Sequence, residues 1–175
     1  ENGAHDPTYV AGHSLGEFTA LVVAGVISFE DGIKIVRKRS ELMQESAPEN
    51  IGAMAAILGL DDEVVIQICN DLNGENVIEA VNFNSPGQVV IAGHKSIIES
   101  SLDKFKAAGA KRALILPVSV PSHCRLMKAA SVEFSDYLGN FNFNLPIIPI
   151  IHNVDATPQK TVDNIKNILS MQLYN

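Results

Sequence analysis

The tightest constraint on this chain is a serine held between two glycines, in the stretch VAGHSLGEFTALVVAG at residues 10–25. Gly12-His13-Ser14-Leu15-Gly16 is a Gly-x-Ser-x-Gly pattern. Tyr9-Val10-Ala11 suits the end of a strand, and Glu17 to Ala24 alternates apolar and small residues as a buried helix does. The sequence therefore predicts a strand that turns sharply into a helix at Ser14. Flanking glycines remove side chains that would collide in so tight a turn. Such a turn can lift a hydroxyl clear of the sheet for nucleophilic attack. An ordinary turn serine satisfies the same five residues, so the pattern alone leaves both readings open.

The next helix carries a misfit. Ser28 is a fitting N-cap with Asp31 three residues on, and the helix is expected from about Phe29 to Glu45, stopping before Pro48. At 100° per residue, Ile33, Ile35, Val36, Leu42 and Met43 share one arc, with Lys34, Arg37, Lys38 and Glu41 opposite. Arg39 falls near the middle of the apolar arc. A buried guanidinium is costly unless it meets a carboxylate or comparable acceptors. Either an internal acid or an anionic ligand must answer it.

Residues 52–118 follow their own rhythm. Strands are expected at Ala53–Leu58, Val77–Phe83, Val89–Ala92 and Arg112–Val118, with helices at Asp61–Leu72 and Lys95–Ala108 and a turn at NSPGQ, 84–88. That β-α-β-β-α-β order is the one of a ferredoxin-like unit. Two prolines then bracket a stiff loop, VPSHCR, that carries His123. A helix of about Arg125–Leu138, a strand at Ile147–His152 and a helix from about Val162 to Leu173 complete the outer part. Strands alternating with helices there indicate a largely parallel sheet. The expected fold is α/β: an α/β-hydrolase-like parallel-sheet core, residues 1–50 and 119–175, with an inserted ferredoxin-like subdomain, 51–118.

Composition narrows the chemistry. At 175 residues, 46% hydrophobic and 19% charged, the chain suits one soluble globular domain or two small ones. No apolar run approaches the roughly 18 residues that span a bilayer, so no membrane association is expected. Cys69 and Cys124 make no disulfide framework, and reduced thiols in a cytoplasmic protein are the simplest reading. The five histidines form no paired ligand motif, and no metal is expected. A net charge of −7 argues against nucleic-acid binding. Yet Lys104, Lys106, Lys111, Arg112, Arg125 and Lys128 lie in a segment without one acid. That strip is either a docking surface for something negative or a merely solvated basic face.

Acyl transfer through a serine needs a base, and histidine titrates in the right range. His123, on a loop and within the basic strip, is the first candidate. His13 adjoins Ser14 and reads as scaffolding, while His152, ending a strand, is the reserve. Cys124 has no glycine elbow to present it and reads as a small buried apolar residue.

Five segments together resemble the malonyl-CoA:acyl carrier protein transacylases of bacterial fatty acid synthesis. They are GHSLGE (12–17), RSELMQ (39–44), GAMAAILGL (52–60), NFNSPGQVVIAGHK (82–95) and PVSVPSHCRLMK (117–128). The resemblance implies Ser14 as acylated nucleophile and His123 as its general base and acid. It implies Arg39 as the holder of the malonyl carboxylate, so that the missing acid arrives with the substrate. The backbone N–H of Leu15 would form half of the oxyanion hole. Asn84 and Gln88 would face the cleft. Malonyl-CoA and acyl carrier protein are the implied substrates, with no bound cofactor, and the protein is expected to be a monomer. The family also has an opening Gly-Gln-Gly-Ser-Gln segment and a Gly-Pro-Gly region toward its end, absent from these residues. The chain is therefore expected to be the middle of a longer enzyme. A serine hydrolase of the α/β-hydrolase type, or a non-catalytic acyltransferase-like fragment, are the alternatives.

Overall fold

A computed structural model of the chain describes residues 7–47, 51–118 and 120–175. Pro48, expected to stop the second helix, and Ser119, before His123, lie outside the described residues. Along the chain run β1 (Val10–Ala11), α1 (Leu15–Val23), α2 (Phe29–Ser46), β2 (Gly52–Leu58) and α3 (Asp62–Leu72). A hairpin of β3 (Ile78–Ser85) and β4 (Gln88–His94) leads to α4 (Lys95–Ala107) and β5 (Arg112–Ile115). A 3-10 turn at Arg125–Met127 precedes α5 (Lys128–Leu138), β6 (Ile150–Ile151) and α6 (Val162–Met171). The chain is mixed α/β, with a parallel and an antiparallel sheet. It forms two compact units: the part through Leu42 with Ser131–Gln172, and Met43–Ala130 with Leu173–Asn175.

In the first unit β1 and β6 pair in parallel, Val10 opposite Ile150 and Ala11 opposite Ile151. The strand expected over 147–152 shortens to two residues because its partner offers only two. Phe18, Leu21, Ile35, Phe134, Ile165 and Leu169 are buried here, Phe18 meeting Phe134 edge-on at 6.2 Å between ring centroids. Ser28 Oγ accepts the Asp31 N–H at 3.1 Å and so caps α2, but the Asp31 carboxylate turns to Lys34 Nζ, also 3.1 Å away. Ile35 and Leu42 face inward as the helical period requires. Ile33, placed on the same arc by the wheel, is instead 53% exposed, because it sits at the far end of that arc. With Leu15, Val23 and Phe29 it lines an apolar groove.

The second unit is a four-stranded antiparallel sheet in the order β3-β4-β2-β5. β2 and β4 pair along their full length, from Gly52 opposite His94 to Leu58 opposite Gln88. Val65 and Cys69 of α3 and Ile98 and Phe105 of α4 pack against Ile57, Ile78 and Ile91. Met54, Val90 and Ala92 form a separate cluster with Cys124, since alternate strand residues point to opposite faces. β5 ends at Ile115 rather than Val118, ahead of Pro117, which has no N–H to extend a ladder. The expected turn at 84–88 narrows to Pro86-Gly87, with Gly87 at φ 69, so Asn84 belongs to β3 and Gln88 to β4. Among the described residues no helix is long and apolar enough to cross a membrane.

Candidate active site

Ser14 sits between β1 and α1 with φ 51 and ψ −107, a conformation that L side chains rarely adopt. Such geometry costs about 1–3 kcal/mol and persists only where the surroundings over-determine it. Here they do. The Ser14 N–H donates to Asn153 Oδ1 at 2.5 Å, and its carbonyl accepts from Gln172 Nε2 at 3.2 Å and from the Glu17 N–H at 3.2 Å. Gly12 is needed because a Cβ there would lie 2.1 Å from the Gly16 carbonyl carbon and oxygen. Gly12→Ala is thus expected to destabilise the protein by about 3 kcal/mol, the upper end for forced overpacking, as read by denaturant unfolding. Leu15 opens α1, and its N–H is one of the first-turn donors that a helix leaves without an internal acceptor. An open cleft of about 460 Å³ lies beside the turn, lined by Gly12, His13, His152 and Asn153 among others.

Arg39 reaches this turn from α2 and is only 7% exposed. One of its terminal nitrogens, Nη2, donates to Ser14 Oγ at 2.9 Å and to Gln172 Oε1 at 3.0 Å. The Phe18 ring centroid is 5.8 Å from its guanidinium carbon. Its Nε is buried with no hydrogen-bond partner among the described residues. No carboxylate of the described residues lies within ion-pair distance of it. Burial pushes the guanidinium down to about 10, with the Glu17 charge pulling the other way, so at neutral pH it remains a cation. The misfit on the helical wheel is a buried cation whose hydrogen bonds, among the described residues, go to neutral oxygens.

Glu17, 1% exposed, ties three segments together. Its Oε1 lies 2.6 Å from His152 Nδ1, while Oε2 accepts the Asn153 N–H at 3.4 Å and a short hydrogen bond from Gln172 Nε2. His152, the reserve candidate for a base, is therefore 2% exposed with one ring nitrogen already facing a carboxylate. In the sequence Glu17 closes the GHSLGE segment without an evident task, and Asn153 and Gln172 stand in no motif. The available signal was position: His152-Asn153 and Gln172 each close an apolar run, PIIPII and NILSM with its flank, where a polar residue is tolerated only with partners.

His123 belongs to the second unit. It too has a left-handed backbone, φ 65, and its N–H donates to the Leu173 carbonyl at 3.0 Å. Pro121, two residues earlier, packs so closely on Gly52 that a Cβ there would meet its ring at 2.3 Å. Behind it, Cys124 is fully buried, its thiol donating to the Pro121 carbonyl at 3.1 Å. Beyond it, the Arg125 N–H and guanidinium are held by Glu79 and Asn73 at 2.9 and 2.6 Å. Arg125 and Lys106, paired with Glu79 and Asp103, are thus partly neutralised members of the basic strip. Asn84 and Gln88 lie exposed on either side of the hairpin turn of this unit. Burial pushes the Cys69 and Cys124 thiols up to about 12. Their thiolate fraction at pH 8 is then about a thousandfold below that of a free thiol. Both are expected to resist a thiol-reactive dye in the folded protein and to react at once in denaturant.

The structure thus brings Ser14 and Arg39 together in the first unit, and carries His123, Asn84 and Gln88 in the second. Among the described residues no three His, Cys, Asp or Glu side chains converge so as to hold a metal. Compared with known families, residues 2–171 match the acyl transferase domain. The chain belongs to the acyl transferase domain family. Its relatives include the malonyl CoA-acyl carrier protein transacylase of Escherichia coli, 51% identical over 175 residues, 100% of this chain and 57% of that protein. Among solved structures, an acyl carrier protein S-malonyltransferase from Vibrio cholerae is 52% identical with a TM-score of 0.95, over 98% of this chain and 56% of that one. Another, titled as a type II PKS acyl-carrier protein in complex with its malonyl-transacylase, is 49% identical with a TM-score of 0.96, over 99% of this chain and 56% of that one. This acyl transferase chain therefore spans a little over half the length of the relatives it matches.

Proposed function

We propose that this protein transfers a malonyl group from malonyl-CoA to the phosphopantetheine thiol of acyl carrier protein, through a malonyl ester on Ser14. The observation that carries the reading is the buried Arg39 cation, 2.9 Å from Ser14 Oγ and without a carboxylate of the described residues at ion-pair distance. A carboxylate on the acyl group would supply the partner that the fold withholds. The planar guanidinium suits two parallel bonds to it. Malonyl CoA and acyl carrier protein are named together for the Escherichia coli relative, and a malonyl-transacylase with an acyl-carrier protein for the solved complex.

In this mechanism His123 takes the hydroxyl proton as Ser14 Oγ attacks the thioester carbonyl. The oxyanion is held by the Leu15 N–H at the start of α1. Collapse breaks the carbon–sulfur bond, and the CoA thiol leaves with the proton from His123. The phosphopantetheine thiol then attacks malonyl-Ser14 by the reverse route, restoring the hydroxyl. No redox step occurs, so the chemistry asks for no cofactor. Asn84 and Gln88 would face the acyl-CoA. The basic strip would meet CoA phosphates or the acidic carrier protein. We assign the reaction to the cytoplasm.

In fold terms we read the elbow and its parallel strands as part of an α/β-hydrolase-like core assigned to residues 1–50 and 119–175, a wider span than the compact unit through Leu42 with Ser131–Gln172. The sheet order β3-β4-β2-β5 with two helices on one face supports a ferredoxin-like subdomain for 51–118. A serine hydrolase would share the elbow but would leave the Arg39 cation without a task. Incubation with labelled malonyl-CoA, followed by peptide mass spectrometry, tests the assignment. A malonyl adduct on Ser14, stable to water and discharged by carrier-protein thiol, is expected. Rapid release to water would replace the reading by a hydrolase, and no adduct would overturn it.

A further inference from the structure

We infer that the Gln172 side chain is a positioning residue for acyl-group choice, setting the Arg39 guanidinium beside Ser14 through a neutral amide aligned by Glu17. The inference rests on the transfer reading above.

Gln172 is 1% exposed at the C-terminal end of α6. Its amide has one orientation that the chemistry allows. Nε2 faces two acceptors, the Ser14 carbonyl and a Glu17 carboxylate oxygen, so Oε1 faces the Arg39 donor. The reverse orientation would set the amide N–H₂ against a cation and its oxygen against an anion, failing on both sides. Glu17 is held in turn by His152 Nδ1 at 2.6 Å and by the Asn153 N–H. Arginine has many rotamers, and a selective carboxylate site needs its fork fixed before substrate arrives. Among the described residues, Gln172 Oε1 and Ser14 Oγ are the hydrogen-bond acceptors that do so.

The neutrality of this residue matters as much as its reach. A carboxylate in its place would satisfy Arg39 internally and remove the reason to prefer an acyl group that carries an acid. An amide orients the cation and keeps the Glu17 charge one residue removed from it, out of ion-pair contact. Selectivity thus depends on a side chain that accepts one hydrogen bond without contributing charge.

The test compares Ser14 acylation by malonyl-CoA and acetyl-CoA in the wild type, Gln172→Met and Gln172→Glu, each alone and with Arg39→Ala. The malonyl-to-acetyl ratio of kcat/KM is expected to fall about tenfold in Gln172→Met, mainly through the malonyl KM. It is expected to fall further in Gln172→Glu, where an internal acid competes with substrate. Both effects should vanish in the Arg39→Ala background, whereas a merely structural role would persist there. An unchanged ratio in Gln172→Glu, or an effect independent of Arg39, overturns the inference. Should either single variant fail to fold, Gln172→Glu combined with Glu17→Gln, which exchanges the acid and the amide and spares a carboxylate pair, decides the matter by the same ratio. Absence of malonylation in the wild type would instead remove the transfer reading itself.

Discussion

Replacing Ser14 by alanine is expected to abolish covalent acylation and to lower malonyl transfer by at least about 10⁴-fold, the scale on which loss of an activated nucleophile acts. The prediction is sharp because the fold survives the change. Ser14 is held through its backbone, by Asn153 and Gln172, and neither bond uses the hydroxyl. Its Oγ serves Arg39 as an acceptor at 2.9 Å, a polar contact whose loss touches a residue still hydrogen-bonded to Gln172. The variant should therefore unfold close to the wild type in denaturant while giving no adduct by mass spectrometry. Retained acylation would place the nucleophile elsewhere.

Arg39→Ala is expected to lower malonyl transfer by a few hundredfold, while acetyl transfer is better tolerated. Leaving a buried charge without its partner costs on the order of 3–5 kcal/mol. In the wild type that cost falls on acetyl-CoA, which brings no carboxylate to the cation. Deleting the guanidinium removes the penalty against acetyl and the attraction for malonyl together, so the rates with the two substrates should converge. Parallel steady-state measurements with both donors decide it. Equal losses would make Arg39 a structural residue, occupied only with Ser14 Oγ and Gln172.

The parts of this site that the sequence discloses are those written over short spans. Five consecutive residues around Ser14 announce a strand-to-helix turn, because glycine at 12 has no substitute when a Cβ would strike Gly16. The burial of Arg39 is legible from one helix, since a 3.6-residue period tells which side faces the core. The β-α-β-β-α-β order follows from periodicity and turn residues. What stays hidden is separated by long stretches of chain. Asn153 and Gln172 reach the elbow across 139 and 158 residues, and no local pattern encodes such a meeting. Strand lengths depend likewise on the partner, which is why β6 covers two residues when its own apolar run would allow six. Ile33 shows the same limit from the other side: the edge of an apolar arc is buried only if something is there to cover it.

The anchoring of Ser14 by residues 153 and 172 bears on the order of events during synthesis. Chains emerge from their N-terminus, so the elbow is made well before the two side chains that hold it. Its left-handed backbone is unfavourable in isolation, and the two side chains that compensate for it are translated well over a hundred residues later. A nascent chain that contains Gly12 to Gly16 but not yet Asn153 and Gln172 therefore carries a relaxed turn, and the hydroxyl gains its final orientation only once α6 has docked.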